Sequence, residues 1–294
     1  MRTPLLTSLR AVGGLVIAMY SHLPKYIAAF KTQLQATQEY RANWLLSILC
    51  EGVPLLGILL FWSALFAADT GATDASAAGA VYGYSQAEVI SYYIVIRVLN
   101  GWFPSVWWEV GGNIRSGHLS DFLTRPIDYL GYYTSLMLAT SSQYILATAG
   151  VLAVVALWFR EYLILQTDFL SWLLIAVSMV LGFALSCLVG YLVQLLAFWF
   201  EDTTGVLTAQ HFLVTFASGF YFPLDFLPGW FHAVLKTLPF YYPHFFTTQL
   251  YLGRVNTNEA LAGIGVEILW VAVLVVVLRQ QWRIGLKRFS AVGG

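Results

Sequence analysis

The chain has 294 residues, of which 59% are hydrophobic and only 10% are charged, and its formal net charge at pH 7 is zero. A soluble domain carries roughly 25% charged residues, so the composition excludes a soluble protein and predicts one that lies in a membrane. The balanced charge, without a basic cluster beyond what membrane topology explains, excludes nucleic-acid binding as a predicted function. The two cysteines, Cys50 and Cys187, lie in apolar runs and match neither a disulfide framework nor a zinc site.

Residues 1–43 are predicted to be a cytoplasmic segment with an amphipathic helix on the membrane surface. Apolar residues recur there at three- and four-residue steps, with Thr3, Thr7 and Arg10 on the other side: Leu5, Leu6, Leu9, Val12, Val16 and Met19. This pattern is typical of an interfacial helix. A cleaved signal peptide is the alternative, although no convincing cleavage site follows the apolar run.

Six apolar stretches are predicted to cross the membrane. A span needs roughly 20 residues, because a helix rises about 1.5 Å per residue and the hydrocarbon core is about 30 Å thick. The spans form a transmembrane domain, residues 44–282, before a cytoplasmic tail, residues 283–294: 44–67, 87–109, 132–158, 169–200, 204–222 and 262–280. The sequence therefore predicts an all-α polytopic membrane protein.

The lysines and arginines predict the orientation. Eleven of them lie before the first span, between the second and third spans or at the end of the sixth and after it, whereas the three connections on the opposite side hold three. Because positive residues concentrate on the cytoplasmic side, both termini are predicted to be cytoplasmic.

Three charged residues lie inside the predicted spans, namely Glu51, Arg97 and Glu267. Each costs a few kcal/mol there and so needs a partner or water. The depths of Glu51 and Arg97 differ by only several ångströms at about 1.5 Å per residue, which allows a salt bridge between them. Lining of a water-filled path is the alternative.

Residues 111–130, GGNIRSGHLSDFLTRPIDYL, form a charged island between the second and third spans. Leu119, Phe122 and Leu123 share a face at helical spacing, and His118, Asp121 and Arg125 lie away from it. A short amphipathic helix on the cytoplasmic side is predicted, ended or kinked by Pro126. It either seals the membrane interface or serves as a docking surface for a cytoplasmic partner.

Small and polar residues mark the third and fourth spans. Gly182, Ser186 and Gly190 stand four apart, a stripe that lets another helix approach closely. Packing within this chain and contact with a second subunit are both open. The hydroxyl and amide groups of the third span, such as Thr140 and Gln143, either join helices by hydrogen bonds or contact substrate.

Residues 218–253 are rich in Phe, Tyr and Trp and contain four prolines, which forbid one continuous helix. Non-helical backbone at membrane depth survives only where protein or water covers it. A pair of re-entrant helices in the outer leaflet is predicted, with an ordinary external loop as the alternative. The predicted breaks are Gly219, Pro223, Pro228 and Pro239.

Both segments resemble those of permeases of type 2 ABC exporters. The island is similar to the segment after the second span of that class through Ile114, Arg115, Gly117, Leu119, Leu123, Arg125 and Pro126. Residues 218–253 are similar to the external segment after its fifth span through Ser218-Gly219, Phe222-Pro223, Leu227-Pro228 and Leu238-Pro239-Phe240. The resemblance covers nearly the whole chain.

The resemblance implies one half of a permease in a bacterial inner membrane, which exports an amphipathic, lipid-linked or polymeric substrate. A second permease subunit, identical or homologous, completes the pathway among membrane lipids, and two cytoplasmic ABC ATPase subunits use ATP and Mg to drive it. The island is then a coupling helix, with Leu119, Phe122 and Leu123 as its anchor and four polar contacts to the ATPase: Arg115, His118, Asp121 and Arg125. Glu201 and Asp202 are either solvated or a further contact.

The chain lacks the Gly-x-x-x-x-Gly-Lys-Ser/Thr phosphate loop. We therefore expect it to bind no cofactor and to have no catalytic activity of its own. An ion-coupled secondary transporter or channel is the alternative function, against which stand the lack of an inverted repeat and of paired interrupted helices.

Overall fold

The computed structural model describes residues 23–36, 41–69, 80–81, 83–104 and 109–289, with the backbone alone for residues 41–51, 69 and 80–81. The amphipathic helix predicted in residues 5–19 lies outside the described residues, and so does the side chain of Glu51. The predicted domain boundaries stay predictions.

Helices form nearly all of the described chain, which confirms the all-α class. A two-stranded hairpin, β1 (Ala80–Val81) and β2 (Tyr84–Ser85), precedes the third helix. The helices are α1 (23–36), α2 (Arg41–Asp69), α3 (Gln86–Trp102), α4 (Glu109–Arg115), α5 (Leu119–Leu123), α6 (Tyr129–Trp158), α7 (Phe169–Gln194), α8 (Thr204–Ala217), α9 (Gly229–Leu235), α10 (Thr247–Tyr251) and α11 (Thr257–Arg288).

Among the residues that the structure describes, three helical stretches are long and apolar enough to cross a membrane: Tyr129–Trp158, Phe169–Phe198 and Thr257–Arg288. They contain or closely match the predicted third, fourth and sixth spans. The fourth changes from α7 to a 3-10 helix at Leu195–Phe198. The first predicted span lies in α2, where Gly52–Ala68 forms a shorter apolar helix.

The helices within the predicted second and fifth spans are shorter than those spans. Helix α3 has 17 residues and ends before Phe103, because Pro104 disfavours a helical residue ahead of it. Helix α8 has 14 residues and ends before Gly219, whose φ of 76° belongs to the left-handed region. The six-span layout thus stays a prediction.

The segment after α8 is broken where the sequence predicts breaks. Gly219 has a positive φ, Pro223 precedes a 3-10 turn at Leu224–Phe226, and Pro228 precedes α9. Pro239 lies in the turns that follow α9, ahead of a π-helical turn, Tyr242–Phe246, which continues into α10.

Protein covers this interrupted backbone. All ten residues from Tyr241 to Leu250 are buried, against α3, α7 and α11. Tyr92 donates a hydrogen bond to the Gly219 carbonyl (2.5 Å) and Tyr93 donates one to the Tyr221 carbonyl (2.9 Å). Non-helical carbonyls thus find protein donors, as an apolar environment requires.

Glu267 and Arg97, the other two charged residues inside the predicted spans, lie in different surroundings. Glu267 on α11 is fully buried, and its Oε1 accepts a hydrogen bond from Ser178 on α7 (2.9 Å). Arg97 is half-buried, with its guanidinium over the Phe220 ring at 5.5 Å. The bridge from Arg97 to Glu51 stays a prediction.

Helix α1 was not predicted, and it explains two polar residues of the third span. Gln143 donates a hydrogen bond to the Leu34 carbonyl (2.7 Å), and Gln33 donates one to the Thr140 hydroxyl (3.4 Å). Lys25 donates to the Pro126 carbonyl (2.7 Å) at the end of the island. These contacts favour helix joining for Thr140 and Gln143.

Candidate functional site

The charged island folds into two short helices, α4 and α5. Gly117 connects them with a φ of 81°, a conformation that L side chains rarely adopt. Asp128 then caps α6, because its Oδ2 accepts a hydrogen bond from the Gly131 amide (2.6 Å). Helix α5 ends at Leu123, three residues before Pro126. The short helix predicted from the sequence is therefore present.

The apolar face of α5 differs from the prediction at one residue. Leu119 is fully buried, and the Phe122 ring packs against those of Tyr129 and Tyr133, with centroids 5.0 and 6.1 Å away. Leu123 is 49% exposed. Its predicted role as an anchor therefore stays a prediction.

Three of the predicted polar contacts lie in or next to α5: Asp121 within the helix, His118 immediately before it and Arg125 two residues after its end. His118, Asp121 and Arg125 are exposed, with His118 Nδ1 at 3.7 Å from Asp121 Oδ2. Arg125 lies over the Phe122 ring at 5.5 Å, a cation–π distance. We call His118, Asp121 and Arg125 the α5 polar face.

Arg115 has a different place. It is half-buried, and its Nη1 donates a hydrogen bond to Oγ1 of the buried Thr203 (2.7 Å). This bond joins α4 to the turn before α8, where Glu201 and Asp202 are exposed. Backbone and side-chain hydrogen bonds from Thr204, with the charge of Arg115, hold the pKa of Asp202 below its ordinary value.

A network beneath α4 holds the island in place. The Gly111 amide donates to Gln194 Oε1 (2.9 Å), and Asn113 donates to the Tyr133 hydroxyl (2.6 Å). The Tyr129 hydroxyl donates to the Val110 carbonyl (3.1 Å). We did not predict these residues. The one available signal is Gln194, an amide in an otherwise apolar run.

A cavity of about 180 Å³ opens between α3, α7, α8 and the segment after α8. Ser186 and Gly190 line it, whereas Gly182 does not, because a Cβ there would lie 2.8 Å from the Phe103 ring. Gly182 thus packs within the chain, whereas Ser186 and Gly190 border the open space of the cavity. The polar lining includes Asn100, Gln194, Gln210, His211, Ser218 and His244.

His244 is the most unusual group in this lining. It is 8% exposed, its ring packs against that of Phe103 with centroids 4.9 Å apart, and its Nδ1 has no hydrogen-bond partner among the described residues. A buried polar atom without a partner is costly.

The island and the cavity beside α8 both lie in the part of the chain that matches a known protein family. A family model described as ABC-2 family transporter protein matches residues 53–293. No curated protein and no solved structure matches the chain.

Proposed function

The chain belongs to the ABC-2 family of transporters, and we propose that it is the permease subunit of an ATP-driven exporter. The family places it among membrane transport components. The proposal adds that the substrate moves outward, that a separate pair of ABC ATPase subunits uses ATP and Mg as the energy source, and that α5 receives their movement.

The α5 polar face is the observation that carries the proposal. Asp121 in α5 and the flanking His118 and Arg125 are exposed, whereas Leu119 and Phe122 of the same helix pack into the chain. A mobile loop would dissipate an applied force, whereas α5 rests on α4 and α6 through the aromatic cluster and the hydrogen bonds beneath it. This arrangement suits a surface that transmits movement.

The neighbouring turn extends this surface. Glu201 and Asp202 are exposed beside the Arg115–Thr203 hydrogen bond. The surface therefore carries both signs of charge, which favours a specific protein partner over an anionic membrane surface. We propose that both acidic residues contact the ATPase together with the α5 polar face.

We propose that the cavity beside α8 is part of the substrate path and that a second permease subunit encloses it. Its volume, about 180 Å³, is below the roughly 300–1,000 Å³ of small-molecule sites. Helix α8 also leaves Thr208 and His211 exposed beside Phe212, although polar groups are disfavoured against lipid. A second subunit would cover them.

We propose that both termini are cytoplasmic, in a bacterial inner membrane. Arg279, Arg283, Lys287 and Arg288 at the end of α11 support that side. An amphipathic, lipid-linked or polymeric substrate fits a cavity with both apolar and polar walls.

Purification in mild detergent from the native membrane tests the proposal. We expect an ATP-hydrolysing subunit to co-purify in stoichiometric amount, together with a second permease chain. Arg125→Glu combined with Asp121→Arg should abolish co-purification or uncouple ATP hydrolysis from transport. Arg160→Glu is the matched control, since Arg160 is equally exposed but lies in the turn after α6, at the other end of that helix.

Two results would contradict the proposal. Retention of the ATPase with unchanged coupling in the double variant would make α5 an interfacial seal. Purification of the chain alone, with substrate accumulation that follows an ion gradient without ATP, would identify a secondary transporter or channel.

A further inference from the structure

A second cavity lies at the start of α11. It has a volume of about 390 Å³ and lies between the segment after α8 and the first turns of that helix. Its back is closed by four aromatic residues that are themselves buried: Tyr241, Tyr242, Phe245 and Phe246. The exposed and half-buried side chains stand on the other walls, and they decide what the cavity can bind.

One of these walls is a stripe of α11. Glu259 and Ala262 are exposed, Val266 is half-buried, and all three line the cavity. They stand three and four residues apart, so they share one face of the helix. Helix α11 is long and apolar enough to cross a membrane, and Glu259 lies in its first turn. Because Val266 lies about 10 Å further along the helix, the wall runs from a charged end at the membrane surface to an apolar end within the bilayer.

The opposite wall carries a lysine near the apolar end. Lys236 is exposed and lines the cavity. The indole of Trp270 donates a hydrogen bond to the carbonyl of Thr237, the next residue along the chain (3.2 Å). Trp270 follows Glu259 on α11 by eleven residues, which places it roughly 16 Å further into the membrane. Lys236 is therefore joined to a deeper level of the cavity than Glu259.

Lys236 and Glu259 are the charged residues of this lining that find no ionic partner among the described residues. The other two have partners within the chain, Arg254 in an ion pair at 2.7 Å and Asp225 in a hydrogen bond at 3.0 Å. The side chain of Lys236 makes no hydrogen bond to the described residues, and Glu259 accepts one from the Asn256 amide through Oε2 (3.1 Å). Two opposite charges that line one cavity without pairing fit a ligand that carries both signs.

We infer that this cavity binds a zwitterionic phospholipid whose headgroup joins a phosphate to a primary ammonium, as in phosphatidylethanolamine. In such a lipid the phosphate lies nearer the acyl chains than the ammonium does. Lys236, at the deeper level, meets the phosphate, and Glu259, at the membrane surface, meets the ammonium. The apolar end of the α11 stripe, at Val266, meets the start of an acyl chain.

The apolar end of the wall favours a lipid over a soluble zwitterion, which would leave that end without a partner. The lipid belongs to the outer leaflet under the orientation that we propose. Binding itself depends neither on that orientation nor on the ATPase.

The experiment uses the full chain, purified in a polyoxyethylene detergent and freed of bound lipid. The probes are phosphatidylethanolamine, phosphatidylglycerol with the same acyl chains, and free phosphoethanolamine, and native mass spectrometry measures a Kd for each. We expect phosphatidylethanolamine to have a Kd at least tenfold lower than either other probe, which is about 1.4 kcal/mol. The reason is that phosphatidylglycerol offers Glu259 no cation, and free phosphoethanolamine has no acyl chain.

Two substitutions separate the two charges. Lys236→Gln removes the phosphate contact and should weaken the binding of both lipids. Glu259→Gln removes only the ammonium contact, so it should weaken phosphatidylethanolamine alone. A hydrogen bond to a charged group contributes about 1.5–3 kcal/mol, so each affected Kd should rise roughly tenfold or more. Glu161→Gln is the matched control, because Glu161 is exposed in the turn after α6 and lies outside the lining.

A third substitution locates the site. Ala262→Trp fills the cavity from its exposed wall and should raise the Kd of phosphatidylethanolamine at least tenfold, about 1.4 kcal/mol. Leu261→Trp is its matched control, because Leu261 is 56% exposed and lies outside the lining. This control should leave the Kd unchanged.

Three results would overturn the inference: the two lipids bind equally well, free phosphoethanolamine binds as tightly as the lipid, or Ala262→Trp leaves the Kd of phosphatidylethanolamine unchanged. Failure of the proposed function is separate, because it appears as a lack of ATPase co-purification while lipid binding persists. Conversely, an intact ATPase complex without selective lipid binding contradicts this inference alone.

Discussion

The island and the segment after α8 have similar backbone elements, but they differ in which side chains they expose. Each consists of short helices and turns between long helices, and each contains a glycine with positive φ, Gly117 or Gly219. The island leaves His118, Asp121 and Arg125 exposed, whereas the other segment buries every residue from Tyr241 to Leu250. The first is the surface that we propose contacts the ATPase, and the second is part of the core of the chain.

This difference predicts that substitutions in the buried segment lower the stability of the chain, whereas substitutions on the α5 polar face leave stability unchanged and affect coupling. Substitutions at the base of the island, which joins the polar face to the helix bundle, should lower stability by an intermediate amount.

The largest loss is expected for Gly219→Ala. A Cβ at Gly219 would lie 2.7 Å from the Tyr92 hydroxyl and 2.9 Å from the Phe245 ring, at a φ of 76°. Backbone strain and overpacking each cost about 1–3 kcal/mol. Thermal unfolding in detergent should show a clear drop in Tm. Gly229→Ala is the control, because a Cβ there meets nothing within 4 Å; equal Tm values would contradict the prediction.

A smaller loss is expected for Gly111→Ala, in the base of the island. The new Cβ would lie 2.6 Å from Gln194 Oε1 and 3.3 Å from the Gln194 carbonyl, and overpacking costs about 1–3 kcal/mol. At neighbouring Gly112 a Cβ meets nothing within 4 Å, so Gly112→Ala should keep or raise Tm. If the two variants unfold at the same temperature, the close packing of α4 on Gln194 is wrong.

The Arg115–Thr203 hydrogen bond should contribute less. Because Arg115 is half-buried, we expect Arg115→Leu to cost about 0.5–1.5 kcal/mol. A double-mutant cycle with Thr203→Val isolates the interaction, and it should give a coupling energy of at least about 0.5 kcal/mol. Additive effects of the two substitutions would mean that Arg115 acts outside this bond.

The smallest change in stability is expected for Arg125→Glu. Its side chain is exposed and contacts the Phe122 ring at 5.5 Å, so the free energy of unfolding should change by less than about 0.5 kcal/mol. ATPase coupling should nevertheless fall strongly. A variant that unfolds at a much lower temperature would show that α5 is a structural element and would remove the contrast between the two regions.

The sequence predicts one short helix in the island, and the structure has two, α4 and α5. The spacing of Leu119 and Phe122 predicts the buried face of α5, and the structure places both there. Leu123 shares that spacing but is exposed in this chain. Arg115 was predicted to face a partner, yet it reaches Thr203, 88 residues away along the chain.

The sequence by itself determined what depends on local backbone and composition: the membrane location, the long helices α6, α7 and α11, and the breaks at Gly219 and the prolines. Only the tertiary structure decided which long-range partners meet, such as Gln249 with Tyr84, 165 residues apart. It also decided that α3 and α8 are shorter than their apolar runs. The physical reason is that helix propensity and breaks are properties of neighbouring residues, whereas cover for a polar atom depends on how whole helices pack.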